Sequence, residues 1–157
     1  MVDIKKLMEY SSNQRRKYLA TLAKLPWSEF IKDKGASWGS LRNIFVHTVS
    51  SIDYWLDFIL KERAHSRKHY EDYVSLDDIR NYMVHVETRM QKYLRNLSDS
   101  KLQSKFTVKN DLDETVEITA EDVLIHVFEE EIYHLGELNA LLWQLDVEPP
   151  VMGWKGL

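Results

Sequence analysis

The chain has 157 residues, 44% of them hydrophobic and 29% charged, with 21 basic and 25 acidic side chains that leave a formal charge of −4 and a pI near 5.9. This is enough for one domain, 1–157, with its own core; the aromatic-rich composition excludes disorder, and the acidic balance speaks against a nucleic-acid surface. Cysteine is absent, which excludes disulfides and thiolate metal sites, while the lack of any apolar run near the ~20 residues needed to span a bilayer and of a signal-peptide layout in MVDIKKLMEY leads us to expect a cytoplasmic protein with no membrane partner.

Asp3 is placed to cap a first helix to about Lys24, with Ile4, Leu7, Met8, Ser11, Tyr18, Leu22 and Leu25 on one face and a solvated Lys- and Arg-rich side opposite. LPWSEF opens a connection in which Ser28 is expected to cap a short turn and Gly35 to close it. From Ser40 to about Glu62 a second long helix carries Leu41, Ile44, Phe45, Thr48, Ile52, Trp55, Phe58 and Ile59 at spacings of three and four, with His47 close to that face. The polar connection that follows holds His65 and His69 at i, i+4, a spacing that can bind a metal, although Arg63, Arg67 and Lys68 would repel a cation there. Ser75, with Asp78 three residues on, starts a third long helix whose stripe is Ile79, Met83, Val86, Met90, Tyr93, Leu94 and Leu97; His85 falls off it and should be solvated. Between Ser98 and Ile118 the period becomes two, at 106–108 and 116–118 around an Asn/Asp-rich turn, which predicts a small hairpin or extended loop.

The last long helix, from Thr119 to Leu145, has a capping-box start in Thr119 and Asp122 and is stopped before Pro149 and Pro150. His134 falls near Val123, Val127, Leu138, Leu141 and Leu145 at 100° per residue, with Glu130 slightly to one side and His126 further round. Ile125, Phe128, Ile132, Ala140 and Trp143 make a second apolar side on which Gly136 would allow a close approach, and a helix apolar on two sides is central or sits at a subunit interface; we expect a homodimer through this face. The short apolar tail after Pro150 is expected to lie across the bundle or a partner. The whole predicts an all-α four-helix bundle with the short hairpin or loop between its third and fourth long helices.

His126, Glu130 and His134 recur every fourth residue and so stack on one side of the helix. A carboxylate at the edge of a core stripe is costly unless it is paired, protonated or bound to a cation. If the second and fourth long helices are neighbours, His47 can join Glu130 and His134 as two imidazoles and a carboxylate, a set that suits Zn, Ni, Fe or Mn and leaves coordination positions open. His126 and His134 are about 12 Å apart along the axis, too far to share an ion easily; a His47, His126 and Glu130 set is the geometric alternative. Without an ion the same residues would form a buried hydrogen-bonded cluster.

These places carry a resemblance. SLRNIFVHTVSSIDYWL with its histidine, and HVFEEEIYHLGEL near the C-terminus, resemble the H-V-x-x-H-E-x-x-H-x-G-Q pattern of the DinB/YfiT-like proteins, and the likeness in helix order spans nearly the whole chain. It implies a four-helix bundle, often dimeric, that binds a divalent metal through three histidines and transfers or isomerises substrates with low-molecular-weight thiols. By position His47 and His134 match the first and last ligands, while Glu130 stands where the middle histidine is usual and Glu137 where glutamine is frequent. A carboxylate in place of an imidazole lowers the site charge by one and favours harder ions.

The expected function is therefore a metal-dependent enzyme, of thiol-dependent transferase or hydrolase type, acting on a small-molecule substrate with an ion at His47, Glu130 and His134. Tyr54, His126 or Glu131 would move the proton, and Glu131 would also be the group behind an imidazole N–H. The alternative is a non-catalytic, stress-linked binding or scaffold dimer with a vestigial or structural metal site. A cavity beside His47 filled by Trp55 or Phe45 would favour the latter. No P-loop, Rossmann glycine fingerprint or nucleophile elbow is present.

Overall fold

A computed structural model describes residues 3–62, 67–110 and 112–154. Six helices and one hairpin follow in chain order: α1 (Ile4–Leu22), α2 (Trp27–Ile31), α3 (Leu41–Leu60), a 3-10 turn (Tyr70–Asp72), α4 (Leu76–Arg95), α5 (Asp99–Leu102), β1 (Lys105–Lys109), β2 (Thr115–Thr119) and α6 (Ala120–Gln144). Four are long, and they form the expected bundle.

Each long helix begins where a short polar side chain can satisfy free first-turn N–H groups. Asp3 accepts from Lys5 N, Ser40 from Asn43 N, Ser75 from Asp78 N and Thr119 from Asp122 N; at Thr119 the Asp122 carboxylate reaches back to close the capping box. That return contact holds the Asp122 carboxyl below its ordinary pKa, first through the Thr119 hydroxyl and then through the Thr119 N–H. The predicted Ser28 cap is incorrect: α2 starts on Pro26, and Ser28 lies within it. A proline's fixed φ suits the edge of a helix and sets the start here without a hydroxyl.

In the bundle α3 lies along α6 and α4, and α1 lies along α6 and α4, which puts α1 opposite α3 and α4 opposite α6. The two diagonal links are the two long connections, residues 23–40 and 96–119. The second contains α5 and the hairpin, whose strands pair antiparallel from Lys105 with Thr119 to Lys109 with Thr115. Tyr18, Leu22, Phe45, Ile44, Ile52, Leu56, Ile79, Leu124, Leu135 and Leu138 fill the centre.

Charge also enters this interior, against expectation for the first helix. Arg15 is 4% exposed rather than solvated, and it is salt-bridged to Glu131 of α6, 1% exposed, and at 3.1 Å to Glu87 of α4. Ser12 and Arg16 complete the donors on Glu87 at 3.0 and 2.9 Å. A second buried network lies between α3 and α4: Asp53 and Asp57 receive Arg89, Tyr82 donates to Asp53 at 3.0 Å, and Arg67 reaches Asp57 at 2.5 Å. Arg67 thereby ties the connection after α3 back onto that helix.

Within the chain nothing approaches Gly136 closely, since a Cβ there would meet nothing within 4 Å. The tail lies across α1, where the Tyr10 hydroxyl donates to the Met152 carbonyl and the Tyr10 and Trp154 rings are 5.3 Å apart. Among the described residues no helix is long and apolar enough to cross a membrane.

Candidate metal centre

Because α3 and α6 are neighbours, the second turn of α3 meets the middle of α6. His47 on α3 and Glu130 and His134 on α6 bring one ligand atom each within 4.8 Å of one another. The Glu130 Oε2 atom is 3.5 Å from His134 Nε2 and 3.8 Å from His47 Nε2. Donors on a tetrahedral ion with bonds of about 2.1 Å sit about 3.4 Å apart, so both Glu130 pairs are within a few tenths of an ångström of that spacing, and the two imidazoles are within 4.8 Å of each other. The side chains of His134, His47 and Glu130 are 6%, 16% and 35% exposed, so the carboxylate marks the solvent side.

The far nitrogen of each imidazole is held from behind. His134 Nδ1 lies 2.6 Å from Glu137 Oε2, a contact that assigns the proton to Nδ1 and leaves the Nε2 lone pair facing Glu130. His47 Nδ1 lies 2.9 Å from the Tyr70 hydroxyl. Burial lowers the His47 pKa from its ordinary value, the nearby His134 imidazole lowers it further, and Glu130 acts the other way. A neutral His47 is the form with a lone pair to give.

The loop between α2 and α3 touches His47 directly and reaches His134 through Glu137. Trp38 stacks on His47 with ring centroids 4.1 Å apart and planes 24° from parallel, and Tyr70 meets Trp38 edge-on at 5.7 Å. Ser37 donates to Glu137 Oε2 at 2.7 Å, the oxygen that also takes His134 Nδ1. The turn that presents these two residues has Gly39 at φ 88°, a conformation that disfavours a side chain, and closes with Lys34 N to Gly39 O at 2.6 Å.

The three residues expected to carry the proton are not gathered here. Glu131 points to the other side of α6, into the ion pair with Arg15, so the expectation that it stands behind an imidazole is incorrect; Glu137 has that place. One residue along a helix is a turn of about 100°, which suffices to send Glu130 and Glu131 to different neighbours. His126 is exposed and packs edge-on against Trp55 at 5.1 Å, and it is absent from the cluster. Tyr54 is 50% exposed, with its ring against Trp55 and under the Arg67 guanidinium. Neither aromatic named as a possible plug takes that role: Phe45 is fully buried in the core and Trp55 packs on Phe58 and His126. The His65 and His69 pair falls partly outside the described residues.

Sequence reasoning missed Trp38, Tyr70 and the role of Glu137. Glu137 was within reach, being three residues after His134 on the same side of α6. Trp38 and Tyr70 lie in connections without periodicity, where nothing local announces a tertiary neighbour.

Three comparisons bear on this arrangement. The sequence model of the DinB family matches residues 1–155. Among solved structures, a DinB-like protein from Bacillus cereus superposes with a TM-score of 0.74 over 94% of each chain at 16% identity. A conserved protein from Enterococcus faecalis gives 0.67 over 88% of this chain and 94% of that one at 12% identity. No curated protein sequence matches. At these identities the structural likeness speaks for the fold.

Proposed function

The chain belongs to the DinB family, and we propose that it is a metal-dependent enzyme in which His47, Glu130 and His134 hold a divalent ion that activates a thiol or a water. The observation that carries this reading is the convergence of two imidazole Nε2 atoms and a carboxylate oxygen while both Nδ1 atoms are engaged from behind. A purely structural polar cluster would not need both Nε2 atoms turned towards one carboxylate oxygen with both Nδ1 atoms engaged behind them. Two nitrogens and one oxygen suit Zn, Ni, Fe(II) or Mn. An ion there would supply the lowering of a bound water's or thiol's pKa that makes a nucleophile at neutral pH.

The chain's own residues contribute orientation and access. Glu137 and Tyr70 fix the ring planes, Trp38 covers one face of His47, and the side where Glu130 is 35% exposed faces solvent, from which a small molecule would enter. The chain has no cysteine, so a thiol would come as a low-molecular-weight co-substrate. Glu137→Gln and Tyr70→Phe are expected to weaken metal affinity about 10- to 100-fold each. Competition against a colorimetric chelator reads this, and parent-like affinity in both variants would remove the orienting role.

Protein purified without chelator and examined by inductively coupled plasma mass spectrometry tests the reading directly. Near-stoichiometric divalent metal supports it. Protein that stays empty after reconstitution with Zn, Ni, Mn and Fe(II) overturns it and leaves a buried polar cluster.

A second reading, a stress-linked binding or scaffold dimer, is favoured by the outer side of α6, where Ile125, Tyr133 and Trp143 are 40%, 65% and 58% exposed. Both readings accommodate a homodimer through this side. Trp143→Glu is then expected to shift the mass in light scattering towards the monomer, and an unchanged mass would remove the interface from α6.

A further inference from the structure

A second site lies on the other side of the bundle. Ile52 follows His47 by five residues, about 140° round α3 at 100° per residue, and faces a crevice between α1 and α4. The crevice has a volume of about 490 Å³. Two polar bridges tie the helices across it: at one end Ser12, Arg15 and Arg16 on Glu87, at the other Lys5 Nζ to the Leu97 carbonyl at 3.4 Å. Between the bridges the floor is apolar, formed by Met8, Ile52, Met90 and Leu94.

The charges of the wall run against those of the molecule. Lys5, Arg15, Arg16 and Arg95 line the crevice against Glu9 and Glu87, an excess of two positive charges in a protein whose formal charge is −4. Glu87 is already neutralised by two guanidinium groups, with Arg15 also serving Glu131 behind it. Lys5 and Arg95, at the end away from Glu87, are the cations not spent on that cluster. Lys5 makes its contact to a neutral carbonyl, so its charge is available to an anion at the mouth.

We propose that this crevice binds a small amphipathic carboxylate, a single-chain fatty-acid-like anion, with the chain on Met8, Ile52, Met90 and Leu94 and the carboxylate between Lys5 and Arg95. Apolar floor and basic mouth are both required by such a ligand and by few others: a polar anion has no use for the methionines, and an uncharged hydrocarbon has none for the cations. A single chain of about ten carbons fits the volume, whereas a protein helix, at 10–12 Å across with its side chains, does not fit between helices that are bridged at both ends. The site is independent of the metal centre, so neither proposal leans on the other.

The probe is decanoate, titrated below its micelle concentration into the full-length protein and followed by isothermal titration calorimetry, with acetate as the anion lacking a chain. The expected result is saturable one-to-one binding of decanoate and none of acetate. Binding should weaken about tenfold or more in Lys5→Glu/Arg95→Glu, be lost when Leu94→Trp fills the crevice, and be unchanged in His134→Ala. Gln91→Trp, on an exposed wall position, serves as the filling variant if Leu94→Trp does not fold. Absence of saturable decanoate binding overturns the proposal, as does parent-like affinity in both the charge-reversed and the filled protein. Loss of binding in a folded His134→Ala protein also overturns it, by moving the ligand to the metal centre.

Discussion

Glu130→Ala and His134→Ala, each purified without chelator, are expected to carry less than about a tenth of the metal found in the parent. Removing either leaves two protein donors, and a two-donor site does not compete with water for a divalent ion at ordinary concentrations. His126→Ala is the internal control: its ring packs on Trp55, outside the cluster, and metal content should be that of the parent. Glu130→His restores a third imidazole and should keep the ion while shifting preference towards Zn and Ni, because nitrogen is the softer donor. Mass spectrometry of all four proteins decides the matter. Full metal content in Glu130→Ala or in His134→Ala would refute the ligand set, and loss in His126→Ala would point to the alternative set of His47, His126 and Glu130.

Arg15→Met should cost about 3–5 kcal/mol, the penalty for leaving a buried charge without its partner, and lower the melting temperature by roughly 10 °C in a chain of this length. The Glu131 side chain is fully buried and bonded through one oxygen to Arg15, with its other oxygen lacking a protein partner; removing the guanidinium leaves the carboxylate with no donor. Glu87 is the lesser casualty, since it retains Ser12 and Arg16. In the double variant Arg15→Met/Glu131→Leu much of the loss should return, because the cost lies in the orphaned charge more than in the absent ion pair. Thermal unfolding followed by circular dichroism reads both. A single variant within about 2 °C of the parent would mean that water reaches Glu131 and that the interior there is not dry.

The two experiments probe adjoining sides of one helix. Glu130 and Glu131 are adjacent and chemically identical, yet one faces an imidazole pair at the solvent edge and the other an arginine in the core. The ion pair from Glu131 to α1, with the buried apolar face of α6, holds that helix in the rotation that presents Glu130 and His134 to His47. A severe loss at Arg15 is therefore expected to loosen the metal centre as well, without any contact between them.

The elements themselves were legible because their causes are local. Asp3, Ser40, Ser75 and Thr119 announce helix starts through a hydroxyl or carboxylate within reach of first-turn N–H groups, and apolar residues at three and four mark the buried faces. The hairpin could be read from its change of period to two. His47, Glu130 and His134 could be grouped because spacing along one helix is fixed by its pitch and only one relation between helices had to be supposed. That supposition is met by the packing of α3 on α6.

Tertiary structure alone decided the rest. At 100° per residue Arg15 falls on the stripe of Ile4, Met8, Ser11, Tyr18 and Leu22 and Arg16 falls off it, but a basic residue on a helix is ordinarily solvated; that a charge could stay buried there was decided by where α4 and α6 place Glu87 and Glu131. Trp38 and Tyr70 reach His47 from connections whose course is set by end-to-end closure and by anchors such as Arg67 on Asp57, and no periodicity encodes either. The crevice between α1 and α4 is likewise a property of two helices held apart, and no single helix carries its signature. Local backbone energetics and repeat spacing thus determined which segments are helices and which face of each is apolar; which polar side chains meet across those faces was decided only when the helices were packed, because such pairings depend on rotation and distance between elements remote in the chain.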